Sequence, residues 1–94
     1  MNNYEVMFIV NPSTGEENVN ATVEKFKGII EEKATVNSFD IWGSRRLAYL
    51  INDKDEGYYV LAQISAEPDF PAELERKFKI DENVMRYLVL RKEG

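Results

Sequence analysis

Four stretches of the chain alternate between apolar and other residues, and each predicts a β-strand. Alternation with a period of two places one set of side chains on each face of a sheet. Runs rich in Asn, Asp, Pro and Gly bound these stretches, which is typical of turns. In the second stretch, Gly43 predicts a bulge or bend in one long strand. The predicted strands are 4–10, 36–51, 58–65 and 84–91, with the hairpin loop at 52–57.

Two further stretches repeat apolar residues every three or four positions, the spacing of a helix that buries one side. Thr14 and Glu17 have the spacing of a capping box, so the first helix is expected to start there. Asp69 is the expected N-cap of the second helix. The apolar stripes are Val19, Val23, Phe26, Ile29 and Ile30 in the first helix, and Phe70, Leu74 and Phe78 in the second.

The order strand, helix, strand, strand, helix, strand predicts an α+β, ferredoxin-like βαββαβ fold. It has a four-stranded antiparallel sheet with two helices on one face. Right-handed crossovers then place the first and third strands in the centre of the sheet. Ninety-four residues are enough for one small domain, so we expect residues 1–94 to form a single domain.

The sheet face opposite the helices is expected to be apolar, although a solvated face of an antiparallel sheet is normally polar. An apolar patch rimmed by Glu5, Gln63 and Arg86 indicates a surface that binds another protein. Only one of its residues is aromatic, which argues against stacking of bases on this face. The expected partner-facing residues are Met7, Ile9, Tyr59, Leu61, Leu88 and Leu90.

Composition argues against most kinds of enzyme. The chain has no cysteine and no histidine, so thiol and histidine-dependent triad chemistry is excluded. It contains no phosphate-binding glycine loop of the usual patterns. We therefore predict no catalytic residues, no metal site, no cofactor and no small-molecule substrate. The first strand is too short for a membrane span, and the start of the chain lacks the basic residues of a signal peptide, so we expect a cytoplasmic protein.

Charge is distributed unevenly along this acidic chain, whose net charge is -5. The segments 43–52 and 84–92 contain basic residues and no acids. Paired arginines such as Arg45 and Arg46 suit phosphate, because each guanidinium can donate two parallel hydrogen bonds. Alternatively, Asp40, Asp53, Asp55 or Glu56 could hold this pair in salt bridges.

Several motifs occur together in an order that resembles one protein family. The longest is Gly-x-Arg-x-Leu-Ala-Tyr-x-Ile, from Gly43 to Ile51. Tyr4-Glu5-Val6, Asn11-Pro12, Gly57-Tyr58-Tyr59 and the segment 81–87 accompany it. Together they cover essentially the whole chain and resemble the bacterial family of the sixth protein of the small ribosomal subunit.

The resemblance implies a ferredoxin-like structural constituent of the small ribosomal subunit, acting in translation. It also implies binding to the central domain of small-subunit ribosomal RNA, cooperatively with the eighteenth small-subunit protein as a heterodimer. Asn2 and Asn3 stand where many family members carry basic residues, which shifts the expected phosphate contacts to the last strand. The candidate RNA-binding residues are Arg86, Arg91, Lys92, Arg45, Arg46, Asn2 and Asn3.

The alternative from the sequence is a ferredoxin-like regulatory or metabolic domain that self-associates through its open sheet face. Co-purification distinguishes the two hypotheses, since the first predicts ribosomal particles with one basic partner and the second predicts homodimers without RNA.

Overall fold

The observed order of strands and helices is the predicted one. The computed structural model describes residues 1–51 and 54–92. The strands pair antiparallel in the order β2-β3-β1-β4, so β1 and β3 are central, as predicted. The elements are β1 (Asn2–Val10), α1 (Glu16–Lys33), β2 (Ala34–Ile51), β3 (Lys54–Ala66), α2 (Phe70–Ile80) and β4 (Val84–Lys92).

The core lies between the sheet and the two helices. Phe8 of β1, Phe26 of α1 and Phe78 of α2 meet at its centre, and all three side chains are buried. Their ring centroids are 4.4 to 5.6 Å apart, the range of favourable aromatic pairs. Both helices therefore pack their apolar stripes on one face of the sheet. Neither α1 nor α2, the α-helices of the described residues, is long and apolar enough to cross a bilayer.

The two helices begin differently from one another. The predicted capping box is wrong, because Thr14 lies in a short 3-10 turn (Pro12–Thr14) and its hydroxyl donates to the Asn11 carbonyl at 2.9 Å. Gly15, with a φ of 99°, then redirects the chain into α1. Asp69 does precede α2 as predicted, but its side chain makes no capping hydrogen bond.

The hairpin between β2 and β3 is longer than predicted. The expected loop 52–57 is wrong for residues 54–57, which belong to β3, while Asn52 and Asp53 lie outside the described residues. Pairing of β1 with β3 ends at Val10 opposite Tyr58, whereas β2 and β3 remain paired beyond that point. Arg45, Arg46, Asp55 and Glu56 of this two-stranded part are exposed. We call residues 45–51 and 54–57 the hairpin arm.

Candidate interaction surfaces

The sheet surface opposite the helices, which we call the open face, is built by the strand register. Met7 of β1 lies between Leu61 of β3 and Leu88 of β4. In the adjacent row, Glu5 lies between Gln63 and Leu90. In β1 and β3 these residues alternate with buried ones, and in β4 they alternate with the partly buried Tyr87 and Val89, so the register confirms which side chains were predicted to share this face.

Apolar side chains form a band across the open face. Leu88 and Leu90 of the edge strand are 42% and 46% exposed. Met7, Leu61 and Tyr59 beside them are half-buried. Because these residues lie side by side on three adjacent strands, the band is continuous and differs from the scattered exposed apolar residues of an ordinary surface. We call these five residues the apolar band.

Ile9 lies on the same face but is only 2% exposed. Gly57, at the base of the hairpin arm, packs directly against it, and a Cβ atom on Gly57 would collide with the Ile9 side chain. That Cβ would also lie 3.3 Å from a methyl carbon of Leu47. Ile9 therefore packs against the base of the hairpin arm. It is buried, whereas the other predicted partner-facing residues are exposed or half-buried.

We expect Gly57→Ala to destabilise the fold by about 1–3 kcal/mol, because the added methyl group overpacks the contact with Ile9. Urea unfolding followed by circular dichroism measures this change. Gly28→Ala is the matched control, since a Cβ there meets no atom within 4 Å and glycine inside a helix is unfavourable. It should leave stability unchanged or raise it by up to about 1 kcal/mol. A Gly57→Ala protein as stable as wild type would show that the arm base is loosely packed.

An aromatic pair extends the open face onto β2. Ile41 pairs with Val60 and Gly43 with Tyr59, so Trp42 occupies a bulge in the strand. Gly43 has a φ of 80°, which only glycine adopts readily. Trp42 is 46% exposed, and its ring stacks with that of Tyr59 at a centroid distance of 6.4 Å and an interplanar angle of 14°. The prediction that Trp42 lies at a strand end near Gly43 is wrong, because β2 continues to Ile51, and the sequence does not reveal this pair.

The opposite end of the open face is polar. Ser65 donates to Asn3 Oδ1 at 2.7 Å and accepts from Asn37 Nδ2 at 3.0 Å. Lys92 Nζ donates to Gln63 Oε1 at 3.1 Å, and Gln63 in turn donates to Glu5 at 2.9 Å. Asn3, Asn37, Gln63 and Lys92 border a surface depression of about 290 Å³ at the start of β1. Asn2 donates to the Tyr4 hydroxyl at 3.2 Å at the same end of the sheet.

The predicted RNA-binding residues fall into two groups at opposite ends of the sheet. In the strand pairing Asn3 lies opposite Lys92 and Tyr4 opposite Arg91, which places these two basic residues beside the start of β1. Arg86 pairs with Ile9 near the other end, where Arg45 and Arg46 enter the hairpin arm. Arg86 and Lys92 are six positions apart along β4, or about 20 Å.

These basic side chains also lie on different faces of the sheet. Arg86, Lys92 and Arg45 share the open-face register, whereas Arg91 and Arg46 alternate to the helix side. Within the described residues, neither Arg45 nor Arg46 forms an ion pair with the predicted competitors Asp40, Asp55 and Glu56, and Asp53 lies outside these residues. The guanidinium of Arg45 instead donates weakly to the Ser44 carbonyl at 3.4 Å. The predicted salt-bridge alternative therefore does not apply to the acids that are described.

The described residues also contain no group of three or more acidic, histidine or cysteine side chains that could hold a metal ion. The features that distinguish this structure are thus its fold, its apolar open face and its divided basic residues.

Comparison with known proteins identifies a family with this fold. The family profile described as Ribosomal protein S6 matches residues 3–91. The chain belongs to the ribosomal protein S6 family. This membership confirms the family that the motifs of the sequence resemble, and it extends over nearly the whole chain.

Individual S6 proteins agree with this assignment. The small ribosomal subunit protein bS6 of Clostridium novyi (strain NT) is 52% identical over 94 residues, covering 99% of both chains. That of Desulforamulus reducens is 52% identical over 92 residues, covering 97% of both. The crystal structure of 30S ribosomal protein S6 from Thermotoga maritima matches with a TM-score of 0.91 at 30% identity, covering 97% of this chain and 87% of that one.

S6 membership makes the chain a protein of the small ribosomal subunit and confirms its predicted cytoplasmic location. The S6 family is one of ribosomal structural proteins and not a family of enzymes. The match to the Thermotoga maritima protein confirms the ferredoxin-like α+β fold.

Proposed function

We propose that this S6-family chain is a non-enzymatic structural constituent that binds the central domain of small-subunit ribosomal RNA. It binds cooperatively with the eighteenth small-subunit protein, with which it forms a heterodimer. The observation that carries this proposal is the continuous apolar band on an uncovered sheet face, in a chain of a ribosomal family.

The apolar band supports a protein partner more than an RNA ligand. Burying Leu88 and Leu90 removes apolar surface from water, which is favourable at roughly 25 cal/mol per Å². RNA offers charged phosphates and polar base edges. Against the apolar band these groups would lose water without gaining hydrogen bonds, whereas apolar side chains of a protein are stabilised by leaving water. A protein surface with its own apolar side chains is therefore the better match.

Charge indicates that this partner is basic. The chain carries seventeen acids against twelve bases, so by itself it attracts RNA weakly. A small basic protein on the open face would offset the net charge of -5 and add phosphate contacts. The bases at the two ends of the sheet, Arg86 and Lys92 among them, would then contact RNA around the edges of the bound partner.

Co-fractionation from the native cells tests this function. Tagged protein expressed at natural levels should sediment with small ribosomal subunits, and it should retain one basic protein when the particles are dissociated. Recovery as a homodimer without ribosomal RNA would contradict the proposal and support the self-associating alternative.

The salt dependence of RNA binding tests the candidate phosphate contacts. Each phosphate contact that is removed should lower the slope of log affinity against log salt by about 1. We expect Arg86→Ala and Lys92→Ala to show this change in the assembled heterodimer, with binding weakened evenly across RNA sequences.

Arg46→Ala should change the slope less, because Arg46 lies directly opposite Glu56 in the β2–β3 pairing. Even without a direct ion pair, that carboxylate lowers the local positive potential. Lys27→Ala on α1 is the control for loss of a positive charge away from the proposed contacts. A slope that responds to Arg46→Ala but not to Arg86→Ala would reverse the assignment of these sites.

A further inference from the structure

The aromatic pair of Trp42 and Tyr59 forms an exposed π surface on the open face. Trp42 is 46% exposed, although a side chain of this size gains substantially from burial. Its ring lies nearly parallel to that of Tyr59, with an interplanar angle of 14° and a centroid distance of 6.4 Å. The neighbouring ring and the bulge restrict the indole, which lowers the entropic cost of a contact there.

Asp40 adds a carboxylate to this surface. It precedes Trp42 by two residues on β2 and lies opposite Leu61, which places it on the open face, and the Trp42 ring reaches the same face at Tyr59. Asp40 is exposed, and within the described residues it forms no ion pair. An indole face and an unpaired carboxylate therefore lie together at the margin of the apolar band.

We propose that Trp42, Tyr59 and Asp40 form a binding site for an arginine side chain of the basic protein that covers the open face. A guanidinium is planar and can stack on an indole ring while it donates hydrogen bonds to a carboxylate. This inference rests on the proposed function, because it identifies how the proposed heterodimer is anchored at the β2 margin.

The carboxylate decides between two possible occupants of the aromatic surface. Nucleobases also stack on aromatic side chains, but they bring phosphates with them. Asp40 would repel phosphates at the indole itself, whereas it attracts a cation there. Arg45 and Arg86, the candidate phosphate contacts at this end of the face, lie farther along β2 and across the sheet on β4. Lysine would satisfy the charge but lacks the planar group that matches both the ring and the carboxylate. The site therefore selects arginine of a protein over RNA.

Calorimetric titration with the eighteenth small-subunit protein from the same genome tests the site. We expect Trp42→Leu and Asp40→Asn each to weaken binding of this protein by about tenfold, in the range of a desolvated cation–π contact or a charged hydrogen bond. Because both variants remove contacts to one guanidinium, the double variant should lose less than the product of the two single effects.

Two neighbouring changes are matched controls. Ile41→Ala removes an apolar side chain of similar exposure (51%) from the opposite side of the same strand. Glu24→Gln removes one negative charge from the exposed surface of α1. Both controls should bind the partner protein as wild type does, which would separate a local site from general effects of apolar area and net charge.

Changes in the partner identify the bound group. One arginine-to-lysine variant of the eighteenth protein should weaken binding about as much as Trp42→Leu, and it should have no further effect on the Trp42→Leu chain. Additive losses for every such variant would overturn the arginine site.

The outcomes separate this inference from the proposed function. If wild-type chain binds the partner but Trp42→Leu and Asp40→Asn bind equally well, the site is wrong and the heterodimer stands. If Trp42→Leu weakens binding of RNA by the free chain but not binding of the partner, the aromatic pair is a base-stacking surface and the inference is overturned. If wild-type chain does not bind the partner, the proposed function itself fails.

Discussion

We expect Leu88→Glu to weaken binding of the eighteenth small-subunit protein by more than a hundredfold while leaving the fold intact. Leu88 is 42% exposed in the free chain, so a glutamate there remains hydrated and costs the fold little. Next to Met7 in the apolar band, the same carboxylate would be buried without a partner charge when the heterodimer forms. That burial costs several kcal/mol, and about 3 kcal/mol corresponds to a hundredfold change in affinity.

Isothermal titration of each variant with the partner measures this loss, and thermal melting monitored by circular dichroism verifies the fold. Ile80→Glu is the matched control, because Ile80 is an even more exposed apolar residue (75%) at the end of α2, away from the open face. It should bind as wild type does. Leu61→Glu should weaken binding by a similar factor, although half-burial of Leu61 makes some destabilisation expected there. Unchanged affinity in a folded Leu88→Glu chain would show that the partner binds elsewhere.

The fold could be predicted from the sequence because its periodicities are strong and local. Alternation along β1 and β4, and the helical stripes through Phe26 and Phe78, each fix which side of an element is buried. Antiparallel pairing then follows from the element order. The start of α1 could not be predicted in the same way. Threonine is a common N-cap residue, but the Thr14 hydroxyl already donates to the Asn11 carbonyl within the 3-10 turn.

The open face could be predicted in outline, but two of its features and the extent of the hairpin arm depend on long-range geometry. The bulge next to Gly43 shifts the alternation of side chains along β2. Only the strand register therefore shows that the Trp42 ring stacks with that of Tyr59. Ile9 follows the alternation of the face, yet it is covered, and Gly57 of the hairpin arm packs closely against it. A polar run such as 54–57 is typical of loops, and nothing local distinguishes it from an exposed two-stranded ribbon.

Regular strand geometry alone divides the basic residues of β4, so their division could have been predicted from the sequence. Arg86, Arg91 and Lys92 share one short strand and look like a cluster in the sequence. Alternation turns Arg91 to the helix side, and strand length separates Arg86 from Lys92 by about 20 Å. A separation of this size is about twice the screening length of physiological salt, so these cations act on phosphates independently.

This division leads to the second large effect that we expect, which concerns RNA affinity. The heterodimer should bind central-domain ribosomal RNA at least a hundredfold more tightly than the free chain, or roughly 3 kcal/mol. The free chain offers few, separated cations against a net charge of -5, so few counterions are released when it binds RNA. A basic partner on the open face would place new cations between the two ends of the sheet and join them into one continuous binding surface.

Filter binding of the RNA at fixed salt, with and without saturating partner, measures the difference. Leu88→Glu is the informative control, because it changes no basic residue and should bind RNA about as weakly as the free wild-type chain, whether or not the partner is present. The partner alone must also be titrated, so that the increase is assigned to the pair. Equal RNA affinity of the free chain and the heterodimer would refute cooperative binding, since it would mean that the divided cations of this chain already suffice to hold the RNA.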